Sequence, residues 1–198
     1  MKIKNEFKFL VAGLFFLCLV QPVLAFDPVT SLAGSAISTA MDVRNKNEVK
    51  NDVEIDAAAT KLLLGNKGDD LKGVSVLVFA QHVVLTGVVK SEEAKRKAAE
   101  LLGKDKRIRS LQNIIVVGAG ESAGSMASNL FLEKKIGATL STAKGVHSVN
   151  MRWKAADGRV VLMGMAKSQA EANLAVAKIK ALNGVKNVKS CLRVAGKK

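Results

Sequence analysis

Apolar and polar positions follow two different periods along the chain, and the order of these periods occurs twice. Residues 51–65 place apolar side chains close to helical spacing, whereas residues 74–79 and 83–85 are β-branched runs joined by a short turn, as in a hairpin. Ser91 followed by Glu92 and Glu93 predicts a helix start, because negative charge is favourable in the first turn. Alternation returns over residues 111–117. The pattern predicts helix, strand, strand, helix, strand.

The second half of the chain predicts the same order of elements. Its segments are a helix over 128–140, strands over 149–153 and 160–163, a helix over 168–182 and a strand over 185–194. Asp157-Gly158 favours a tight hairpin turn. Ser168 and Glu171 have the spacing of a capping box, which marks the start of the second helix.

A direct repeat links the two halves. Residues 83–91 recur as residues 160–168, which is 77 residues later, with six of nine positions identical and no gap. We interpret the chain as a tandem duplication and expect an α+β protein. Each of two αββαβ modules would form a three-stranded mixed sheet with two helices on one face. The glycine-rich segment 118–124 falls outside both copies and lacks dinucleotide-loop spacing, so it is predicted to be a linker.

The sheet faces of the two modules differ in polarity. The outer positions of the first sheet are apolar, which predicts that the second module covers them: Leu77, Phe79, Ile114 and Val116. The outer positions of the second sheet are basic, which predicts an open, positively charged face: Arg152, Lys154, Lys189 and Arg193.

The N-terminus has the features of a secretory signal peptide. Three lysines precede an apolar run over residues 9–20, and Ala25 ends a small-residue cleavage site. We expect residues 1–25 to be a signal peptide, 26–50 a flexible segment, 51–118 the first module, 119–126 a linker and 127–198 the second module. Cys18 lacks a small residue before it, so a lipid anchor is not expected.

The charge of the chain indicates anionic partners. The net charge is +14, and removal of residues 1–25, with three lysines and one glutamate, leaves +12. Export would place phospholipid head groups, rather than nucleic acid, within reach of these cations. The alternative is that the lysines and arginines only solvate the surface. Cys191 is the only cysteine after residue 25, so no internal disulfide is expected, and an inert thiol is favoured over a linked dimer.

The sequence offers no catalytic or metal-binding constellation. His82 and His147 are the only histidines, and neither has a neighbour at metal-ligand or triad spacing. We therefore expect no enzyme activity, no metal and no cofactor.

The order αββαβ, the V-V-L-x-G-x-x-x-S junction at residues 83–91 and the approach Gly184-Val185-Lys186-Asn187-Val188 to the last strand resemble the BON domain, named for bacterial OsmY and nodulation proteins. The resemblance implies a non-enzymatic periplasmic protein, peripherally associated with the outer membrane and linked to envelope stress. It would bind anionic phospholipid through the second module, support envelope integrity and contact other envelope proteins. The alternative is a soluble periplasmic chaperone or osmotic-stress protein that binds proteins through Leu77 and Phe79.

Aromatic residues beside cations suggest the contact surface. Tryptophan and phenylalanine next to lysine or arginine suit a membrane interface, although Trp153 also fits a core position. The predicted lipid-binding residues are Phe131, Lys134, Lys135, Arg152, Trp153 and Lys154.

Overall fold

The computed structural model describes residues 41–65, 69–119 and 123–196; the predicted signal peptide and residues 26–40 lie outside the described residues. The first module contains α1 (Lys46–Gly65), β1 (Val74–Phe79), β2 (His82–Val89), α2 (Glu92–Leu102), β3 (Ser110–Asn113) and β4 (Val116–Val117). The second contains α3 (Ala123–Thr142), β5 (Met151–Ala156), β6 (Arg159–Ala166), α4 (Gln169–Lys180) and β7 (Asn187–Val194).

Both modules have the predicted αββαβ order and mixed sheets. In the first, β1 pairs antiparallel with β2, and β2 pairs parallel with β3 and β4. In the second, β5 pairs antiparallel with β6, and β6 pairs parallel with β7. The core of each module combines residues of both helices with one sheet face, as with Ile55, Ala98 and Leu85 in the first module. The predicted fold class is confirmed.

Some element bounds differ from the prediction. The third strand of the first module is divided into β3 and β4 at residues 114–115. The N–H of Ile114 still donates to Leu85 O of β2 at 2.9 Å, whereas the N–H of Ile115 donates to the Asn113 side chain at 3.3 Å. Helix α3 begins at Ala123, five residues before the predicted start. Strand β5 begins at Met151 because the residues Ser148–Asn150 form a short 3-10 helix.

Gly164 explains one of the identities in the repeat. It has a φ of +126°, and a Cβ on it would lie 2.0 Å from the backbone oxygen of Asn150. Gly87 is in the same situation in the first module, with a φ of +109° and a Cβ position 1.9 Å from the oxygen of Gly73. Only glycine allows this φ and this close approach of two strands.

The hairpin turns are held by side chains from the preceding helix. Ala80 and Gln81 have φ values of 50° and 65°, although neither is glycine. Asp52 of α1 accepts hydrogen bonds from both of their backbone N–H groups, at 2.7 and 2.6 Å. In the second module Asn129, at the equivalent position, accepts from the backbone N–H of Asp157 at 3.0 Å. Each helix therefore fixes the hairpin that follows it.

The outer faces of the two sheets pack on each other. Leu77 and Phe79 of β1 form one buried cluster with Val161 and Met163 of β6, and Ile114 packs against this cluster. The predicted cover for the first sheet is therefore present at three of the four positions. The expectation of an open face on the second module is wrong, because Val161 and Met163 are apolar residues on that same face.

Residues 41–44 connect the modules. The side chain of Asn150 accepts a hydrogen bond from Val43 N at 3.0 Å and donates to Met41 O at 2.9 Å. Arg44 is held by Asp42 at 2.6 Å and by Asp52 at 2.9 Å, and its guanidinium lies 4.6 Å from the ring centre of Phe79. The end of the segment that was expected to be flexible thus contacts both halves.

Candidate lipid-binding surface

Helix α3 presents an apolar stripe to solvent. Its buried positions are Asn129, Leu132, Ile136 and Leu140. The opposite face carries Leu130, with 55% of its surface exposed, and Phe131, with 61% exposed. Ala127 and Lys134 are also exposed. They lie four residues before and three residues after Phe131, so each is one helical turn away on the same stripe.

Lysine side chains border the exposed ring. Lys134 is exposed, whereas Lys135 is half-buried and places its Nζ 4.5 Å from the ring centre of Phe131. A cation over an aromatic face is an attractive contact that keeps the lysine charge beside the ring. Three of the six predicted lipid-binding residues, Phe131, Lys134 and Lys135, therefore form one surface.

Trp153 lies on the inner side of α3 rather than on its exposed side. Its Nε1 donates a hydrogen bond to Glu133 O at 3.0 Å, and its ring packs so closely on Gly137 that a Cβ there would be 3.1 Å away. The indole packs against the core of the second module. Trp153 therefore positions α3.

Arg152 and Lys154 occupy two further environments. The guanidinium of Arg152 lies between the modules, 5.5 Å from the ring centre of Phe79, and donates to Val149 O and Met151 O. Burial, and then the charge of Arg44, lower the pKa of Arg152. Lys154 is on the edge strand and places its Nζ 3.3 Å from a Glu133 carboxylate oxygen. The hairpin cations and the α3 surface are thus separate.

The equivalent helix of the first module lacks this surface. The repeat places Glu54 at the position of Phe131 and Lys50 at that of Ala127. Glu54 forms ion pairs with Lys50 at 3.8 Å and with Arg107 at 3.1 Å. An ion-paired carboxylate at the position of the exposed ring distinguishes α1 from α3.

The sequence interpretation missed two exposed apolar residues of α3. Met126 and Leu130 are each 55% exposed. The helical spacing of the four core positions of α3 could have shown that Leu130 is exposed. Residue 130 lies on the side of the helix away from Leu132, which is in the core.

The two histidines have structural partners. Buried Glu171 accepts from His147 N at 2.6 Å and Lys167 N at 2.7 Å, and the Nδ1 of His147 lies 3.0 Å from the same carboxylate. His82 contacts Ser110 and, across the module boundary, Arg193. Burial, followed by the charges of Arg193 and Arg109, lowers the pKa of His82. Within the residues the structure describes, no group of three or more metal-ligating side chains occurs.

Comparison with known families decides the assignment of the chain. The BON domain model matches residues 51–119 and 132–196, one match within each structural module. The chain belongs to the BON domain family. We refer to the first module as BON1 and to the second as BON2. BON domains are generally non-enzymatic and indicate membrane or protein interactions in the cell envelope. In the described part of the chain, no helix is long and apolar enough to cross a membrane.

The individual relatives share 31% or less of their sequence with this chain. The chain is 31% identical over 122 residues to "Uncharacterized protein in gshII 5'region" of Anaplasma centrale, covering 61% of this chain and 81% of that protein. Among solved structures, it is similar to the C-terminal domain of CdsD, a structural protein of the type III secretion system of Chlamydia trachomatis, with 19% identity and a TM-score of 0.29. That match covers 72% of this chain and 66% of the solved chain. A second CdsD structure has 19% identity and a TM-score of 0.30, with 71% and 64% coverage. The chain thus spans just under two thirds of these solved structures.

Proposed function

We propose that this protein is a peripheral envelope protein that binds anionic phospholipid at the periplasmic side of the outer membrane and supports envelope integrity. BON2 makes the contact through the exposed stripe of α3. The observation that supports this most directly is Phe131, an aromatic residue with 61% exposure on a solvent-facing helix. Such a ring, with lysines beside it, suits the boundary between head groups and acyl chains.

The two kinds of side chain contribute in different ways. Each lysine near an anionic surface is worth about 1 kcal/mol, and this contribution falls as salt screens it. Full burial of a phenylalanine side chain adds about 1.5–3 kcal/mol, which salt does not screen. Lys134 and Lys135 would therefore draw α3 to the bilayer, and Phe131 with Leu130 would retain it there.

The chaperone alternative loses its apolar surface in this arrangement. Leu77 is 6% exposed and Phe79 is 2% exposed, because BON2 covers both. A partner protein could reach them only if the modules separated. Trp153 would act on lipid binding indirectly, by holding α3 against β5.

Vesicle binding of matched surface variants tests the proposed contact. Leu130 in BON2 and Val53 in BON1 occupy equivalent repeat positions and are both 55% exposed. Leu130→Ser and Phe131→Ser should weaken binding to anionic vesicles at low and at high salt, whereas Lys134→Glu should weaken it mainly at low salt. Val53→Ser is the control and should bind like the wild type. Equal losses from Leu130→Ser and Val53→Ser would contradict the assignment to α3.

A further inference from the structure

BON1 contains an open groove between helix α1 and the edge of strand β1. Its volume is about 300 Å³, at the lower end of the range of about 300–1,000 Å³ that is typical of ligand pockets. Apolar residues of both elements and of the segment between them line it, together with charged residues: Leu63, Leu64, Leu71, Val74, Val76, Asp56, Lys72 and Lys154.

The repeat shows what fills the equivalent space in BON2. Val76 of the groove corresponds to Trp153, and Thr60 of the groove corresponds to Gly137. In BON2 the indole of Trp153 packs on Gly137 and donates its N–H to the helix backbone at Glu133 O, at 3.0 Å. In BON1 the smaller valine leaves the corresponding space open. BON1 therefore has a space that an aromatic side chain fills in BON2, but no aromatic residue lines it.

One residue at the margin of the groove differs in polarity between the two modules. Leu64 borders the groove with 76% of its surface exposed, the largest exposure among the big apolar side chains of the described residues. Its counterpart in BON2, where the space is filled, is Ser141. Leu64 and the apolar lining of the groove therefore form one continuous exposed apolar surface.

The backbone beside the groove can accept another strand. Strand β1 is at the edge of its sheet, with β2 as its neighbour. Because a two-residue turn joins β1 and β2, Phe79 and His82 form a hydrogen-bonded pair. Every second residue back along β1 also bonds to β2, and Val76 lies between two such residues. Val76 therefore directs its N–H and C=O away from β2. An extended peptide can pair with such an edge while its side chains enter adjoining pockets.

We propose that this groove binds an aromatic side chain on an extended, acidic segment of a partner protein, which pairs with the edge of β1. The aromatic ring takes the place that Trp153 occupies in BON2. Lys72, Lys154 and Asp56 line the groove, Lys154 also pairs with Glu133 of α3, and the chain has a net charge of +14. The net positive charge of the chain therefore favours a partner segment that carries carboxylates.

A peptide titration followed by NMR tests this site. The probe is the capped peptide Glu-Val-Trp-Val-Glu, added to ¹⁵N-labelled residues 26–198, and the control peptide has alanine in place of tryptophan. We expect amide shifts at residues 74–78 and at Leu64, and binding of the control peptide about tenfold weaker or more. No shifts at millimolar peptide, equal binding of the two peptides, or shifts confined to BON2 would overturn the proposal.

Protein variants assign the binding to the groove. Val76→Trp combined with Thr60→Gly introduces the pair that BON2 already contains, so the groove is filled and peptide binding should be lost. Val53→Trp adds an indole at an exposed position of α1 and should leave binding unchanged. Leu64→Glu, at an exposed margin position, gives a second test if the double variant folds poorly. Unchanged peptide binding in both groove variants, or a loss of vesicle binding instead, would overturn the proposal.

Discussion

Buried carboxylates at key backbone amides determine much of the local structure. Glu171 is 5% exposed, and its two oxygens accept from the backbone N–H groups of His147 and Lys167. Burial is the largest single influence and raises the pKa, but these hydrogen bonds together outweigh it and hold the pKa of Glu171 below its ordinary value. The ionised carboxylate therefore stabilises the segments that lead into β5 and α4.

Glu171→Gln should lower the free energy of unfolding at pH 7 by about 1–3 kcal/mol, because the amide supplies one acceptor oxygen where the carboxylate supplies two. The folded pKa is the lower one, so the contribution is complete above the unfolded pKa of about 4.3 and is lost as the pH falls through the folded pKa. Urea unfolding between pH 7 and pH 2.5 measures the difference. A difference between wild type and variant that stays constant over this range would contradict the account.

At the scale of elements, each module uses its first helix to fix its hairpin. In BON1 the strained turn at Ala80 and Gln81 depends on Asp52, which is 4% exposed and also binds Arg44. In BON2 the turn contains Gly158, which adopts a positive φ without strain, and Asn129 is sufficient. The stronger acceptor is found where the turn lacks glycine.

Asp52→Ala should destabilise the protein by about 3–5 kcal/mol, since it leaves the buried Arg44 and two backbone N–H groups without this acceptor. Asp52→Asn should cost clearly less, because an asparagine fills this role in BON2. Urea unfolding of both variants, with Asn129→Ala as the BON2 comparison, measures the order of the effects. Equal losses for Asp52→Ala and Asp52→Asn would contradict this account, because they would show that an asparagine cannot replace the carboxylate at this turn.

The order of elements could be predicted because both modules show the same succession of helical and strand spacing. Where one copy has a weak pattern, such as the first hairpin turn without glycine, the other copy has a clear one at Asp157-Gly158. The environment of Trp153 could not be predicted from its neighbours. Arg152 and Lys154 precede and follow it, but successive residues of a strand lie on opposite faces. Whether an edge residue is covered depends on where α3 crosses, and α3 packs closely on Trp153 at Gly137, where a Cβ would lie 3.1 Å from the ring. That pairing is separated by 16 positions in the sequence.

At the scale of the whole molecule, BON1 and BON2 share a third core. Phe79 is at its centre, 2% exposed and between the guanidinium groups of Arg44 and Arg152. Sheet-to-sheet packing leaves α3 on the outside of the pair, where a bilayer can reach it. This arrangement supports the proposal that BON2 makes the lipid contact.

Phe79→Asp should separate the modules, because it places a carboxylate among Leu77, Val161 and Met163. The wild type should tumble as one body by ¹⁵N relaxation, whereas the variant should show shorter rotational correlation times for both modules. Val53→Asp, at an exposed position, is the control. Independent tumbling of the wild-type modules would contradict the shared core.

The measurement that tests the central claim most directly is vesicle co-sedimentation of residues 26–198. The account predicts binding to vesicles that contain anionic phospholipid, weakening as salt is raised, and little binding to purely zwitterionic vesicles. Lys134→Glu with Lys135→Glu should lower the bound fraction at low salt. Equal binding to anionic and zwitterionic vesicles, or undiminished binding by the double variant at low salt, would contradict it.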